Sequence, residues 1–207
     1  MDTSDGRRAR RTRNRDAVID ALLALYDAGD LAPSADAIAE QAGLSARSLF
    51  RYFDDGDDLA RAAISRQQER LAPIFAMPVE VADTRARRVH AAVARRVQLL
   101  DAMGNVGKVA RLRAPFQPAV ATELRRVRAA MRDLTAAALA PDLDALIAVR
   151  AEGVLAAIDV ACSYEAYELL REDLGRTPRR ATAAMADSVL ALLTVASPEP
   201  ETARAAR

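Results

Sequence analysis

This sequence predicts an all-α fold of about nine helices, on three observations. Proline and glycine are sparse, 9 and 8 among 207 residues, so little interrupts helix formation. Aromatic residues make up only 4% of the chain, and strands are enriched in aromatic and β-branched side chains. Apolar residues recur every three or four positions, the helical spacing, through most of the length. The chain is long enough for one large core or for a small domain joined to a larger one.

Residues 1–12 read as a disordered basic arm. Arg7, Arg8, Arg10, Arg11, Arg13 and Arg15 fall within nine residues that hold no acid, a run that is solvated and able to neutralise phosphates. The basic character is local: residues 1–66 hold ten arginines against twelve acids, a formal −2, and the whole chain is +1. From Arg15 to Ala28, Val18, Leu22, Leu25 and Tyr26 keep helical spacing, and Gly29 suits the C-terminal turn. A loop through Pro33 follows.

Ser34 to Phe53 then reads as a helix-turn-helix within a head spanning residues 13–56. Ser34 caps a short helix to Ala42 that turns Ile38 and Ala39 inward, Gly43 supplies the corner, and Ser45 caps a second helix to Phe53. Leu44, Leu49 and Phe53 are expected to pack inward. Ala46, Arg47, Ser48, Arg51 and Tyr52 are left outside, where they suit a major groove. Arg47 is the candidate for a guanine edge, because a guanidinium pairs bidentately with O6 and N7. Ser45, Ser48 and Tyr52 are candidates for phosphate, joined by Ser34 and by Arg13 of the basic run.

Asp55 caps the next helix, Asp57 to about Ala72, with Asp57 and Asp58 in a first turn that favours negative charge. This helix, residues 57–72, connects the head to a ligand-binding and dimerisation domain over 73–196. Pro73 and Pro78 bracket a kink or loop. Thr84 to about Met103 places Val89, Val93, Val97 and Leu100 on one face. Gly104 and Gly107 loosen the junction to a helix over Val106–Ala114, and Ala119–Ala140 carries Leu124, Val127, Met131 and Leu134. One long helix is expected from Asp142 to Leu174, ended by Gly175. Thr177 and Pro178 start the last, to about Ala196, and residues 197–207 read as a disordered tail.

Two further sites follow from this second domain. A pocket in a helical bundle needs apolar walls and a few polar groups, and Met103, Phe116, Met131, Cys162 and Tyr164 lie near breaks or mid-helix. Asp159, amid AAIDVAC, needs a partner: a ligand, an arginine such as Arg113, or another subunit. Val160, Ala161 and Tyr164, with Met185, Val189, Leu192 and Leu193, give the last two long helices an apolar face suited to a four-helix contact between two copies.

Catalysis has little support. His90 is the only histidine, Cys162 has no base near it in sequence and sits among apolar residues, and GNVGK at Gly104 lacks the spacing of a phosphate loop. Glu165, Glu168 and Glu172 share a helical face, which reads as a solvated stripe and otherwise as a cation site. No metal or cofactor is expected. The single cysteine, the polar start and the lack of a membrane-length apolar run place the protein in the cytoplasm.

RNRDAVIDALLALYDAG, ADAIAEQAGLS, ARSLFRYF and DDLARAAI, between about Arg13 and Ile64, resemble the DNA-binding pattern of the tetracycline-repressor (TetR) family of bacterial regulators. The resemblance implies a palindromic double-stranded operator, a small-molecule effector bound by the second domain, and a homodimer paired through the last two long helices. Phe50 stands where the family usually has a phosphate-binding tyrosine, and Gly56 where it usually has a lysine. Asp54, Asp55, Asp57 and Asp58 crowd that corner. The expectation is a ligand-responsive, sequence-specific homodimeric repressor. The alternatives are an activator of the same fold, a helical small-molecule sensor with weak or lost DNA binding, and a helical enzyme.

Overall fold

A computed structural model describes residues 3–79 and 82–196, and all regular secondary structure among them is helical. The order is α1 (Thr3–Asp27), α2 (Ala35–Gln41), α3 (Ala46–Leu49), α4 (Gly56–Phe75), α5 (Arg85–Arg113), α6 (Pro118–Ala138), α7 (Ala140–Leu143), α8 (Ala148–Ala161), α9 (Tyr164–Glu168), a π-helical turn (Leu169–Asp173) and α10 (Pro178–Ala196). Contacts divide the chain into two compact units. The first comprises Met1–Phe75 and Ala102–Val127, the second Ala76–Asp101 and Arg128–Arg207.

The first unit is built on α1. Val18, Leu22, Leu23 and Tyr26 are buried from it, and Ile38, Ala39, Leu49 and Phe53 close the core from α2 and the segment through α3. Gly29 closes α1 at φ 97°, with Asp30 N–H donating to Leu25 O at 3.0 Å, a conformation only glycine adopts without strain. Residues 3–12, expected within a disordered arm, instead carry the first turns of α1. Arginine and alanine are strong helix formers, so a helix anchored by the buried turns at Val18–Tyr26 propagates outward at little cost. Val109, from the segment assigned by sequence to the second domain, is buried in this same core.

Two other expectations need correction. α4 continues through Pro73 to Phe75, whereas the proline was expected to bring a kink or loop there. Residues 142–174 do not form one helix. α7 ends at Leu143, α8 begins at Ala148, and Ser163 stops the run by capping α9, its Oγ accepting from Ala166 N–H at 3.0 Å. α5 runs through the expected junction, but Gly104 within it has φ 43° and ψ −139°, so the chain does break at that glycine.

In the second unit Val89, Val93, Val97 and Leu100 of α5 are buried as expected, and so are Leu139, Ile158, Met185 and Val189. Asp142 is buried between two arginines: Oδ1 accepts from Arg85 Nε at 2.8 Å and Oδ2 from Arg88 Nε at 2.8 Å. Asp159 accepts from Arg96 Nη2 at 2.8 Å and from Arg132 Nη1 at 2.6 Å, so arginines of α5 and α6 supply its partners. Residues 197–207, expected as a disordered tail, lie outside the described residues.

Candidate nucleic-acid interface

The helix-turn-helix forms from the residues that predict it. Ser34 Oγ accepts from Ala37 N–H at 3.1 Å and caps α2. Gly43 takes φ 66°, and Leu44 N–H returns to Ala39 O at 2.8 Å. Ser45 Oγ accepts from Ser48 N–H at 3.3 Å and lies 2.9 Å from Ser48 Oγ. Ser34 Oγ accepts from its helix and keeps its hydroxyl hydrogen, while Ser45 and Ser48 share one hydrogen between their oxygens and keep one more, the part a phosphate oxygen would take. The second helix is shorter than expected: α3 ends at Leu49, and a tighter turn, with Arg51 N–H donating to Ser48 O and Tyr52 N–H to Leu49 O, carries the chain to Phe53.

This turn changes how the outward residues stand. Arg47 and Arg51 are exposed, as are Ser34, Ser45 and Arg13, while Ala46 and Ser48 are half-buried. Phe50 is 68% exposed, an apolar ring on a surface of guanidiniums and hydroxyls. Tyr52 is half-buried and its hydroxyl accepts from Asn14 Nδ2 at 2.7 Å. With that bond made, Tyr52 ties α3 to α1. Asn14 has no signal in the sequence beyond interrupting the arginine run.

Arg15 also departs from the basic arm. Nη2 meets Asp58 Oδ1 at 3.0 Å, Nη1 donates to Tyr52 O at 3.2 Å, and the guanidinium carbon lies 4.6 Å from the Phe53 ring centre. It therefore braces α1, the end of the α3 segment and α4, and Arg8, Arg10, Arg11 and Arg13 are left as exposed cations on the helix. The hydrogen bond from Arg15, with a smaller opposing effect of desolvation, holds the Asp58 carboxyl below its ordinary value. The acidic corner is thus partly occupied by structural work: Asp58 faces Arg15, Asp55 Oδ1 accepts from Asp58 N–H at 2.7 Å as the cap of α4, and Asp57 Oδ1 accepts from Gln117 Nε2 at 3.3 Å.

The six ligand candidates divide between the two units, Met103 and Phe116 in the first and Met131, Asp159, Cys162 and Tyr164 in the second. Met103 lines a cavity of the first unit. Phe116 is 84% exposed, just past the end of α5, and is not among the residues lining that cavity. Met131 and Tyr164 are core residues of the second unit. Asp159 is occupied by its two arginines, and the Cys162 thiol is buried and pushed up to about 11 by desolvation. Among the described residues no group of three histidines, cysteines or acids is placed to hold a metal, and Glu165 pairs with Arg128 at 3.0 Å.

Of the expected dimer face, Tyr164, Met185, Val189 and Leu193 are buried within the chain itself, and Ala161 and Leu192 are half-buried. The i, i+4 spacing marks an apolar face but not what covers it. Val160 remains 73% exposed, and Val149 and Val195 stand out similarly on α8 and α10.

Among the described residues the chain is all-helical, with a serine-capped helix-turn-helix over Ser34–Phe53. Solved structures share that fold. A TetR-family transcriptional regulator from Streptomyces coelicolor is 24% identical, with 92% of this chain and 88% of that one covered and a TM-score of 0.67. A transcriptional regulator from Rhodococcus sp. Rha1 is 19% identical, with 92% and 99% covered and a TM-score of 0.65. No family model and no curated protein matches the chain. No described helix is long and apolar enough to cross a membrane.

Proposed function

We propose that the protein is a sequence-specific DNA-binding transcription regulator, not an enzyme, acting in the cytoplasm as a homodimeric repressor that a small molecule releases from a palindromic operator. The helix-turn-helix carries this reading: two serine-capped helices around a left-handed glycine present Arg47 and Arg51 to solvent in front of a buried Leu49 and Phe53. The fold shared with solved regulators supports it. Arg47 is placed at a guanine edge, Ser34, Ser45 and Ser48 at phosphates, and the exposed arginines of α1 along the backbone.

A two-fold dimer follows from the half-site logic, since one head reads only half of a palindrome. Val160, Val149 and Val195 on the outer faces of α8 and α10 are the apolar groups available for it. Release is a population shift in which the effector favours a conformer that DNA binds poorly, with a coupling of about 1–3 kcal/mol. The test is an electrophoretic mobility shift with the palindrome upstream of the protein's own coding region against a scrambled duplex. Preferential shift of the palindrome supports the proposal, and equal shifts oppose it.

A sensor with weakened DNA binding is the second reading, favoured by Gly56 and the aspartates around it. Gly56 has an ordinary φ, and a Cβ there would meet nothing within 4 Å, so lysine is tolerated. Gly56→Lys is expected to tighten DNA binding severalfold and steepen the logarithmic salt slope by about 0.9, the value of one added phosphate contact. A filter-binding salt series reads both. An unchanged slope would place this corner away from the backbone.

A further inference from the structure

We infer that a cavity inside the first unit binds an uncharged, mainly apolar small molecule bearing one or two hydrogen-bond donors, and that its occupancy acts on the helix-turn-helix from within. The regulatory half of this inference rests on the function proposed above; the binding half does not. The cavity measures about 440 Å³, within the range of small-molecule sites. Its apolar wall includes Leu22 and Tyr26 of α1, Leu49 and Phe53 around the α3 segment, and Leu71 of α4. All of its lining belongs to the first unit.

The polar lining selects the chemistry. Arg111, Arg113 and Arg126 are balanced by Asp54, Asp55 and Glu123, three cations against three anions, so the lining carries no net charge to favour an ion. Glu123 and Arg126 are moreover joined by two bonds of 2.8 Å. Gln67 and Gln117 differ from these. Their nitrogens are committed, Gln67 Nε2 to Ala102 O and Gln117 Nε2 to Asp57 Oδ1, both at 3.3 Å. Their oxygens are buried and have no hydrogen-bond partner in the protein. A buried acceptor left unpaired is costly, and a ligand N–H or O–H removes that cost. A ligand donor therefore suits these two oxygens.

Its position supplies the coupling. Leu49 and Phe53 form part of the wall, and Arg47 and Arg51 lie beside them on the same short segment. A molecule that moves those two side chains moves the proposed DNA-reading residues directly. The inner wall and the outer surface are two sides of one four-residue helix and its following turn.

The probe is N-phenyl-1-naphthylamine, which is uncharged and has one N–H, titrated into the full chain without DNA and followed by fluorescence. The comparison dye is 1-anilinonaphthalene-8-sulfonate, with the same ring system and a negative charge. The expected result is saturable binding of the neutral dye at one per chain, at least about tenfold tighter than the sulfonate. The Gln67→Leu/Gln117→Leu double variant, with an unchanged circular dichroism spectrum, is expected to weaken the neutral dye by about tenfold, the scale of one lost buried hydrogen bond. No saturable binding, equal affinity for both dyes, or an affinity indifferent to both glutamines overturns the site. A dye-saturated protein that holds DNA as tightly as the free one overturns its regulatory half. A chain that binds the dye as described but never binds DNA instead refutes the function proposed above.

Discussion

Asp159→Ala is expected to destabilise the protein by about 3 kcal/mol, at the lower end of what removing one member of a buried ion pair costs. The cost arises at Arg96. That guanidinium is only 5% exposed, and its Nη2 donates both to Asp159 Oδ1 at 2.8 Å and to Thr135 Oγ1 at 3.0 Å. Alanine at 159 leaves a positive charge inside the second unit, held by the Thr135 hydroxyl. Arg132, a third exposed, reaches water when its carboxylate is lost, which is why the lower end applies. Thermal unfolding is the measurement, with a fall of about 10 °C expected for a chain of this size. Asp159→Leu combined with Arg96→Met is expected to cost less than Asp159→Ala alone, because no charge is then stranded. A double variant worse than the single would show that Asp159 is held for packing rather than for charge.

Arg88→Met should cost about 3 kcal/mol near neutral pH, for the mirror-image reason. Here the buried partner is the acid: the Asp142 side chain is 3% exposed, and Arg88 meets it through Nε at 2.8 Å and Nη2 at 3.0 Å. Arg88 also donates to the Ala82 and Asp83 carbonyls ahead of α5, so that chain segment loosens with it. Burial pushes the Asp142 carboxyl up, but Arg88 and Arg85 outweigh it and hold the group below its ordinary value. A depressed carboxyl stabilises the fold fully above its unfolded value, about pH 4, and loses that contribution as the pH falls through the folded value. The penalty of Arg88→Met is therefore expected to be full at pH 7 and to shrink as the pH falls from about 4 through the lower folded value, beneath which the carboxyl is protonated in both proteins. Denaturant titrations across that range check the sign, and a penalty constant with pH contradicts it.

Much of the first unit is legible in the sequence because its signals are local. A cap needs only a serine three residues before the amide it binds, and Ser34, Ser45 and Asp55 all act where their positions indicate. Gly29, Gly43 and Gly175 sit at positive φ at the helix ends they were expected to close. The errors arise where long-range packing decides. Ser163 lies after an apolar run that masks its capping role, so 142–174 reads as one helix. Tyr52 is outward-facing by periodicity on a helix that in fact ends at Leu49, and its hydroxyl oxygen accepts from a residue 38 positions away. Gln67 and Gln117 are two ordinary glutamines until the fold brings both to the lining of one cavity.

The most direct measurement of the central claim is fluorescence anisotropy with the upstream palindrome, comparing wild type and Arg47→Ala over a salt series. Removing a bidentate guanine contact is expected to cost about 1–3 kcal/mol, roughly ten- to hundredfold, against the palindrome, while binding to scrambled duplex is nearly unchanged. Arg47→Ala should also leave most of the salt slope intact, since phosphates and not base edges set it. Failure of the wild-type protein to bind any duplex at low salt, or an equal loss on palindromic and scrambled DNA, would contradict the reading of this helix-turn-helix as a sequence-reading surface.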